Sequence, residues 1–474
     1  MKIKNTNLGL DMKYKPLFLT TFVMSVLFSC SPEIKHPDLK VEFPEKWLDS
    51  TQTYAYIDSA WWEGFGDEKL DSVIATAFEH NYSLQAAAAR MEAAEAQATI
   101  AGADLYPSIS ISGSGVRQKR SLVGFPSNPN FSLPEHLNTF GTSANVAWEL
   151  DLWGRVRNAR SAAGASFEAS KADYDGFKLS LAAQTIKAWF AAIDASKQLE
   201  LSQSNFESYQ LSQERILARY EKGLRPSLDY RFSRSSVAAA ESQMYQRIQQ
   251  SDQSKRQVEF ILGKYPAAKI ELSKKLPMEI GDIPEGIPAD LLQRRPDIIA
   301  AERRLAASQC NVSAAKAALF PSIRLTGSYG TSTDDLSEIL NMDFSVWSIA
   351  ANVLQPVFQG GKLRANVKLN EALQKQAFAA YANTVLLAYS EVELILAADQ
   401  FLRKQEAATK ISRDEAVAAK ELSEDRYYKG LVDIITFLDA SRQANNAESQ
   451  LLTIRRLRLE NRVDFYVALG GEAN

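Results

Sequence analysis

The chain has little of what most catalytic and metal sites are built from. Its 474 residues include two cysteines, Cys30 and Cys310, and three scattered histidines, His36, His80 and His136. Two isolated cysteines exclude a disulfide framework, so an exported chain of this kind must be stabilised by packing and oligomerisation. Three separated histidines give no metal-ligand spacing. Seven methionines without clusters argue against soft copper or silver cargo. A net charge of −3 leaves no basic excess for nucleic acid. Beyond the N-terminus no run reaches the roughly 18 apolar residues of a membrane helix. No catalytic constellation is present either. Ser313-Ala-Ala-Lys316 fits a Ser-x-x-Lys pattern but lies in an alanine-rich helical stretch without companion motifs. The reading is that of a non-enzyme with no cofactor.

What is there begins with a targeting segment. Lys13 and Lys15 precede the apolar run from Leu17 to Phe28, too short to span and typical of a secretory signal at residues 1–29. Met1 and Met12 both offer a start. Leu27-Phe28-Ser29-Cys30 resembles a bacterial lipobox, which makes Cys30 the lipid-attachment residue, and Ser31, rather than aspartate, fits transfer to the outer membrane. Loss of the signal removes Lys2, Lys4, Lys13, Lys15 and Asp11, moving the net charge from −3 to about −6. Residues 30–60 are proline-punctuated and read as a tether.

The remainder is written twice. Leu105-Tyr-Pro-Ser-Ile returns as Leu319-Phe-Pro-Ser-Ile, an offset of 319 − 105 = 214. Arg219-Tyr-Glu-Lys-Gly-Leu returns as Arg426-Tyr-Tyr-Lys-Gly-Leu, and Leu262-Gly263 as Leu469-Gly470, offsets of 426 − 219 = 469 − 262 = 207. Such self-similarity implies two equivalent elements side by side. We assign residues 61–263 to the first repeat, 264–289 to a proline-rich linker, 290–470 to the second repeat and 471–474 to a tail. Each repeat reads helix, β-hairpin, long helix, turn, long helix.

The first helix is expected from Asp67 to Ala103, and its second-repeat counterpart from near Asp290. The clearest strand runs from Phe140 to Leu152, with Val146, Trp148, Leu150 and Leu152 on one side and Asn145, Glu149 and Asp151 on the other. Its length and alternation fit a membrane barrel strand with lipid on the apolar side. Glu149 and Asp151 then read as solvated channel wall rather than an acid–base pair. The other strands are expected from Ser108, at Pro321–Thr331 and at Phe344–Val357, with a loop over 117–138. Proline-free stretches from Gly154 to Tyr220 and from Lys362 to Tyr428 predict helices of roughly 95 Å. Four strands cannot close a barrel, and an open sheet edge cannot face lipid. Several chains must therefore pool their strands, and their alanine-rich helices with them.

Trp61-Trp62-Glu-Gly-Phe-Gly-Asp67, Ala147-Trp-Glu-Leu-Asp-Leu-Trp-Gly-Arg155, Leu291-Leu-Gln-Arg-Arg-Pro-Asp297, the Arg-Tyr-x-x-Gly-Leu string at Arg426 and the terminal Ala468-Leu-Gly-Gly resemble the TolC-type outer membrane efflux proteins, closest to their lipoprotein (NodT/OprM-like) branch. The resemblance implies an α+β membrane protein: a homotrimer with a twelve-stranded outer-membrane β-barrel, four strands per chain, continuous with a periplasmic α-helical barrel in a Gram-negative envelope. It implies passive export of drugs or other small molecules delivered by an inner-membrane transporter, of the RND type, through a periplasmic adaptor. It also implies that Lys222, Gly223 and Leu224 with Lys429, Gly430 and Leu431 form adaptor-facing tips, and that Ile435, Asp439 and Arg442, with Arg426 and Tyr427 as latch partners, form a periplasmic gate. An Asp439–Arg442 pair is equally an ordinary helix-surface ion pair. The alternatives are a duct for type I protein secretion and a periplasmic coiled-coil lipoprotein without a channel.

Overall fold

A computed structural model of the chain describes residues 61–121, 135–277 and 294–471. The signal segment, Cys30, the tether, residues 278–293 and residues 472–474 lie outside the described residues. The elements are a short 3-10 turn at Trp61–Phe65, α1 (Glu68–His80), α2 (Tyr82–Ala103), β1 (Ser108–Lys119), β2 (His136–Leu150), α3 (Arg155–Glu221), α4 (Ser227–Ile261), α5 (Pro296–Ala317), β3 (Ser322–Thr333), β4 (Ser345–Leu354), α6 (Lys362–Tyr428) and α7 (Ile434–Ala468). Helices α3 and α6 each have 67 residues, and α4 and α7 each have 35. Both pairs start 207 residues apart (362 − 155 = 434 − 227). None of the described helices is long and apolar enough to cross a membrane.

Contacts divide the chain into two units. The first comprises residues 94–167 and 303–378 and carries the sheet. Its four strands are antiparallel in the order β1-β2-β3-β4. Because side chains alternate and directly paired residues share a face, the register sorts the sheet cleanly. Ile109 pairs with Val146, Trp148 with Leu325, Tyr329 with Trp347 and Gly327 with Ile349, all on one side. The other side is polar. Ser112 bonds Ser143 (3.0 Å), Asn145 Nδ2 donates to Ser112 (3.1 Å) and Ser328 bonds Ser348 (2.8 Å). The apolar side is uncovered within the chain: Ile111 is 85% exposed and Ile349 82%. At Gly330 the β2 backbone comes so close that an added Cβ would stand 1.8 Å from the Thr142 carbonyl oxygen.

The strands differ from the sequence expectation at their ends. β1 and β2 run further into the expected loop, to Lys119 and from His136, while β4 stops at Leu354, short of Val357. Pro356, which has no N–H for a ladder, follows it. β2 ends at Leu150, so Leu152 is not a strand residue. The cause is Asp151, whose side chain is only 9% exposed and accepts from the amides of Val156 (3.0 Å) and Arg157 (2.8 Å). It caps α3. Glu149 forms a two-pronged pair with Arg155 (3.0 and 2.9 Å). For Asp151 the expectation of a solvated wall carboxylate is thereby corrected, since it is buried at the strand-to-helix joint. Glu149 stays on the polar side of the sheet, partly exposed, and ties that joint through Arg155. Trp153 completes it, donating to the Pro321 carbonyl (2.7 Å) and stacking on Phe320.

The second unit comprises residues 61–93, 168–302 and 379–471, within the described residues. Its main core gathers Trp61, Trp62, Leu70, Ile74, Ile186, Trp189 and Phe190. Trp61 stacks on Tyr466 at 4.9 Å. Asp67 caps α1 and also accepts from Trp189 Nε1 (2.9 Å) and Ser273 Oγ (2.7 Å). The first helix is not continuous from 67 to 103. Asn81, in extended conformation, accepts from the amides of Ser83 and Leu84 and starts a new helix, while its amide donates to the Ile261 carbonyl (2.8 Å). Among the described residues α5 begins at Pro296, with proline at a first-turn position where no N–H is needed. Asp290, near which the second-repeat helix is expected to start, lies outside the described residues.

Arg295 is a second polar node of this unit, in addition to Asp67. Its side chain is 7% exposed and donates to Asp297 (3.1 and 2.8 Å), Glu391 (2.7 Å) and the Ala468 carbonyl at the end of α7 (2.9 Å). Hydrogen bonds to the two carboxylates outweigh burial, so its pKa lies above the ordinary value and it stays charged. Removing it leaves a helix end and two carboxylates without their donor. Arg295→Ala is expected to cost about 2–4 kcal/mol, read as a lower thermal-unfolding midpoint by circular dichroism, with Arg295→Lys recovering only part.

Candidate functional site

The two turns between long helices are built alike. Gly223 donates to the Tyr220 carbonyl (2.8 Å) and Leu224 to Arg219 (2.9 Å); Gly430 donates to Tyr427 (3.0 Å) and Leu431 to Arg426 (2.9 Å). This is the paired hydrogen bonding of a Schellman helix end, which needs a left-handed residue. Both glycines supply it, with φ of 74° and 76°. Lys222 and Leu224 are exposed in the first turn, Leu431 and Lys429 in the second, the latter pairing with Asp425 at 2.7 Å. Arg426 is exposed, and its carbonyl helps to close the turn.

The two hairpins share a core at this end, made of Ile216, Tyr427, Ile434 and Phe437. Tyr427 lies fully buried at its centre and stacks on Phe437 at 5.7 Å. The corresponding first-hairpin pair, Tyr220 and Tyr230, stacks at 5.8 Å. The tyrosines and their ring partners are both 207 residues apart (427 − 220 = 437 − 230). Across the hairpins, the Tyr427 hydroxyl donates to Asp229 (2.9 Å). Arg225 lies over the Tyr427 ring at 4.5 Å, donates to the Tyr427 carbonyl (2.5 Å) and stands 3.9 Å from Asp229. Arg219 repeats the motif on the neighbouring residue, donating to the Tyr428 carbonyl (2.8 Å) and facing its ring. Burial, and then the hydrogen bond to the Asp229 carboxylate, push the Tyr427 hydroxyl far above the ordinary phenol range. It therefore keeps its proton and remains a donor throughout physiological pH.

Ile435, Asp439 and Arg442 lie together on α7. Ile435 is exposed, Arg442 pairs with Asp439 along its own helix, and Gln443 donates to the same carboxylate (2.7 Å). The capping residue below them, Asp433, accepts from the Thr436 amide (2.8 Å), which holds its carboxyl below the usual range. The three residues line one wall of a groove of about 680 Å³, with Phe232 of α4 and Tyr209 of α3 on the others. Phe232 is the first-repeat counterpart of Asp439 (439 − 207), so at this matched position one hairpin carries an aromatic ring and the other a carboxylate. Tyr427 is not part of that wall. The structure separates the expected set into an exposed group on α7 and a buried anchor below it. Sequence reading missed Asp229 and Arg225, because nothing local links them to a residue about two hundred positions away. Their one signal is a charged pair at four-residue spacing on either side of Pro226.

Comparison with known proteins agrees with this architecture. The sequence profile of the family described as outer membrane efflux protein matches residues 73–264 and 287–471. The chain is 32% identical to the pyoverdine export outer membrane protein OpmQ of Pseudomonas putida, over 94% of this chain and 95% of that protein. It is 31% identical to the outer membrane protein OprJ of Pseudomonas aeruginosa, over 94% and 92%. Among solved structures, the CmeC outer membrane channel of Campylobacter jejuni superposes with a TM-score of 0.87 at 26% identity, covering 93% of this chain and 94% of that one. A membrane protein from Pseudomonas aeruginosa superposes with a TM-score of 0.85 at 31% identity, covering 93% and 99%.

Tyr427→Phe retains the ring stack but leaves the Asp229 carboxylate without its closest donor. It is expected to destabilise this end by about 1–3 kcal/mol. Faster hydrogen exchange confined to the amides around residues 216–230 and 425–438 would report it, with exchange around Trp189 unchanged.

Proposed function

The chain belongs to the outer membrane efflux protein family, and on that premise we propose that it is the outer-membrane channel of a tripartite pump, working as a trimer. The single observation that carries the reading is the sheet: four strands, one continuous apolar face open to the outside, and no strand partner at β1 or β4 among the described residues. Three copies supply the twelve strands of a closed barrel. Val146, Trp148 and Leu150 then face lipid, and the serine- and asparagine-rich side faces water. Trp148, whose indole donates to the Leu105 carbonyl (3.0 Å), and Trp153 sit at the rim, where amphipathic rings anchor a barrel. The long helices pool in the same way into a periplasmic conduit. A bridging coiled-coil lipoprotein would have no use for such a sheet.

Relatives named for export of pyoverdine, antibiotics and toluene support small-molecule cargo over secreted polypeptides. An inner-membrane transporter of the RND type and a periplasmic adaptor deliver it, and the duct adds no chemistry. The exposed Leu224 and Leu431 with Lys222 and Lys429, carried on Gly223 and Gly430, form the adaptor-facing tips. Ile435, Asp439 and Arg442 form the gate, where three copies of Asp439 around an axis narrow and polarise the pore. Tyr427 and Arg426 belong to its latch, with Asp229 and Arg225 as the groups that hold Tyr427. Cys30 carries the lipid, and the mature chain is both lipid-anchored and barrel-spanning.

Replacing Asp439 and Arg442 together with alanine is expected to raise single-channel conductance in planar bilayers several-fold. An assembled trimer of unchanged conductance would remove the gate assignment. Cys30→Ser is expected to abolish incorporation of labelled palmitate while export is partly retained, and an unlabelled wild-type protein would refute the lipid site.

A further inference from the structure

We propose that β4 of one copy pairs with β1 of the next in the register that β2 and β3 already hold within the chain, placing Val353 opposite Gly113 of the partner subunit. The inference rests on the trimeric barrel proposed above and adds its seam, residue by residue.

The two hairpins are the same object at single-residue resolution. Ile109 pairs with Val146 and Ile323 with Val353; Ser108 pairs with Ala147 and Ser322 with Leu354. First strands differ by 323 − 109 = 214 and second strands by 353 − 146 = 207 in both cases. A side-chain tie obeys the same shifts. Trp148 Nε1 donates to the Leu105 carbonyl in one hairpin, and Gln355 Nε2 donates to the Leu319 carbonyl (3.3 Å) in the other. The β2–β3 ladder therefore shows how a second strand of this hairpin receives the first strand of the next one. In that ladder Val146 faces Gly327, Trp148 faces Leu325 and Leu150 faces Ile323. Carrying each β2 residue forward by 207 and each β3 residue back by 214 gives Val353 with Gly113, Gln355 with Ile111 and Val357 with Ile109.

Independent observations agree with this alignment. Val353 and Gly113 lie on the same, apolar side of the sheet, so the alternation passes the seam unbroken, whereas a one-residue slip would invert it. Val357, three residues past the end of β4, is 95% exposed and Ile109 72%, and extending β4 along this register brings the two uncovered side chains together. At one point the seam must depart from the β2–β3 ladder: Gly330 maps to Val116, whose Cβ does not fit the close approach to the carbonyl that maps to Ile349, so the backbones stand further apart at that end than β2 and β3 do.

Slips of two residues keep the apolar face and are the alternatives to separate. In a Cys310→Ala background, Val353→Cys is combined with Gly113→Cys, with Ile111→Cys or with Gly115→Cys. Isolated outer membranes are treated with copper–phenanthroline and air as the oxidant that converts two thiols to a disulfide. An added Cβ at Gly113 meets nothing within 4 Å, so cysteine fits there. Directly opposed residues stand about 4.5–5.5 Å apart, within disulfide range, and diagonal ones about 7–8 Å. The expected result is covalent dimer and trimer at least tenfold faster for Val353→Cys/Gly113→Cys than for either shifted pair. Gln355→Cys/Ile111→Cys, a second pair on the same register, is expected to link as well. Faster linking of a shifted pair, or no linking of either aligned pair in variants that still form an oligomer by native mass spectrometry, overturns the register and leaves the barrel standing. A wild-type protein that is monomeric by native mass spectrometry overturns both.

Discussion

The amides and carbonyls along the outer edges of β1 and β4 are what everything else in this protein answers to. Each unpaired group of that kind costs several kcal/mol in hydrocarbon, and the sheet that carries them presents isoleucine, valine and tryptophan on one entire face. A sheet of four strands with that face has no stable form alone in a bilayer. It becomes lipid-compatible only when its edges meet other edges, and the two equivalent hairpins make the necessary joint available in advance: β2 against β3 is already an example of it. The family's description as outer membrane efflux proteins then has a physical reading at the level of one chain, a part of a wall rather than a pore.

The residues that identify the family are mostly not those that would move cargo. Trp61, Trp62 and Asp67 build the helical core and start α1. Glu149 and Asp151, the two carboxylates that stood out beside aromatics, serve the strand-to-helix joint through Arg155 and the first amides of α3. Arg295 ties the start of α5 to Glu391 on α6 and to the last turn of α7. Gly223 and Gly430 supply positive φ where the hairpins reverse. In these cases core packing, a capping or paired charge, or a special backbone angle leaves little choice of residue, and a family pattern follows from that demand.

The region proposed to control passage is organised differently. Tyr427, Asp229 and Arg225 hold the two hairpins together through one buried hydroxyl, one carboxylate and one guanidinium, while Ile435 and Arg442 stand exposed and Asp439 half-buried on the adjacent helix. A buried hydrogen-bonded node beneath an exposed polar set gives a discrete connection to break, which a continuous apolar seam would not. The hairpins differ at one matched position of the groove, where one has Phe232 and the other Asp439.

Much of this was legible beforehand. The bounds of α6 were readable from the absence of proline between Lys362 and Tyr428, and the apolar face of β2 from its period of two. The end of β2 and the break at Asn81 were not, because both are set by side chains that reach backbone amides, a competition that composition does not display. By itself the sequence determined the element order, the duplication, the alternation of the strands and the glycine-bearing turns, since periodicity and the backbone limits of proline and glycine act locally. Only the tertiary structure decided the strand register, the role of Asp151, the Arg295 node and the meeting of Tyr427 with Asp229. Those depend on hydrogen bonds and burial between segments far apart in the chain, whose geometry no local pattern encodes.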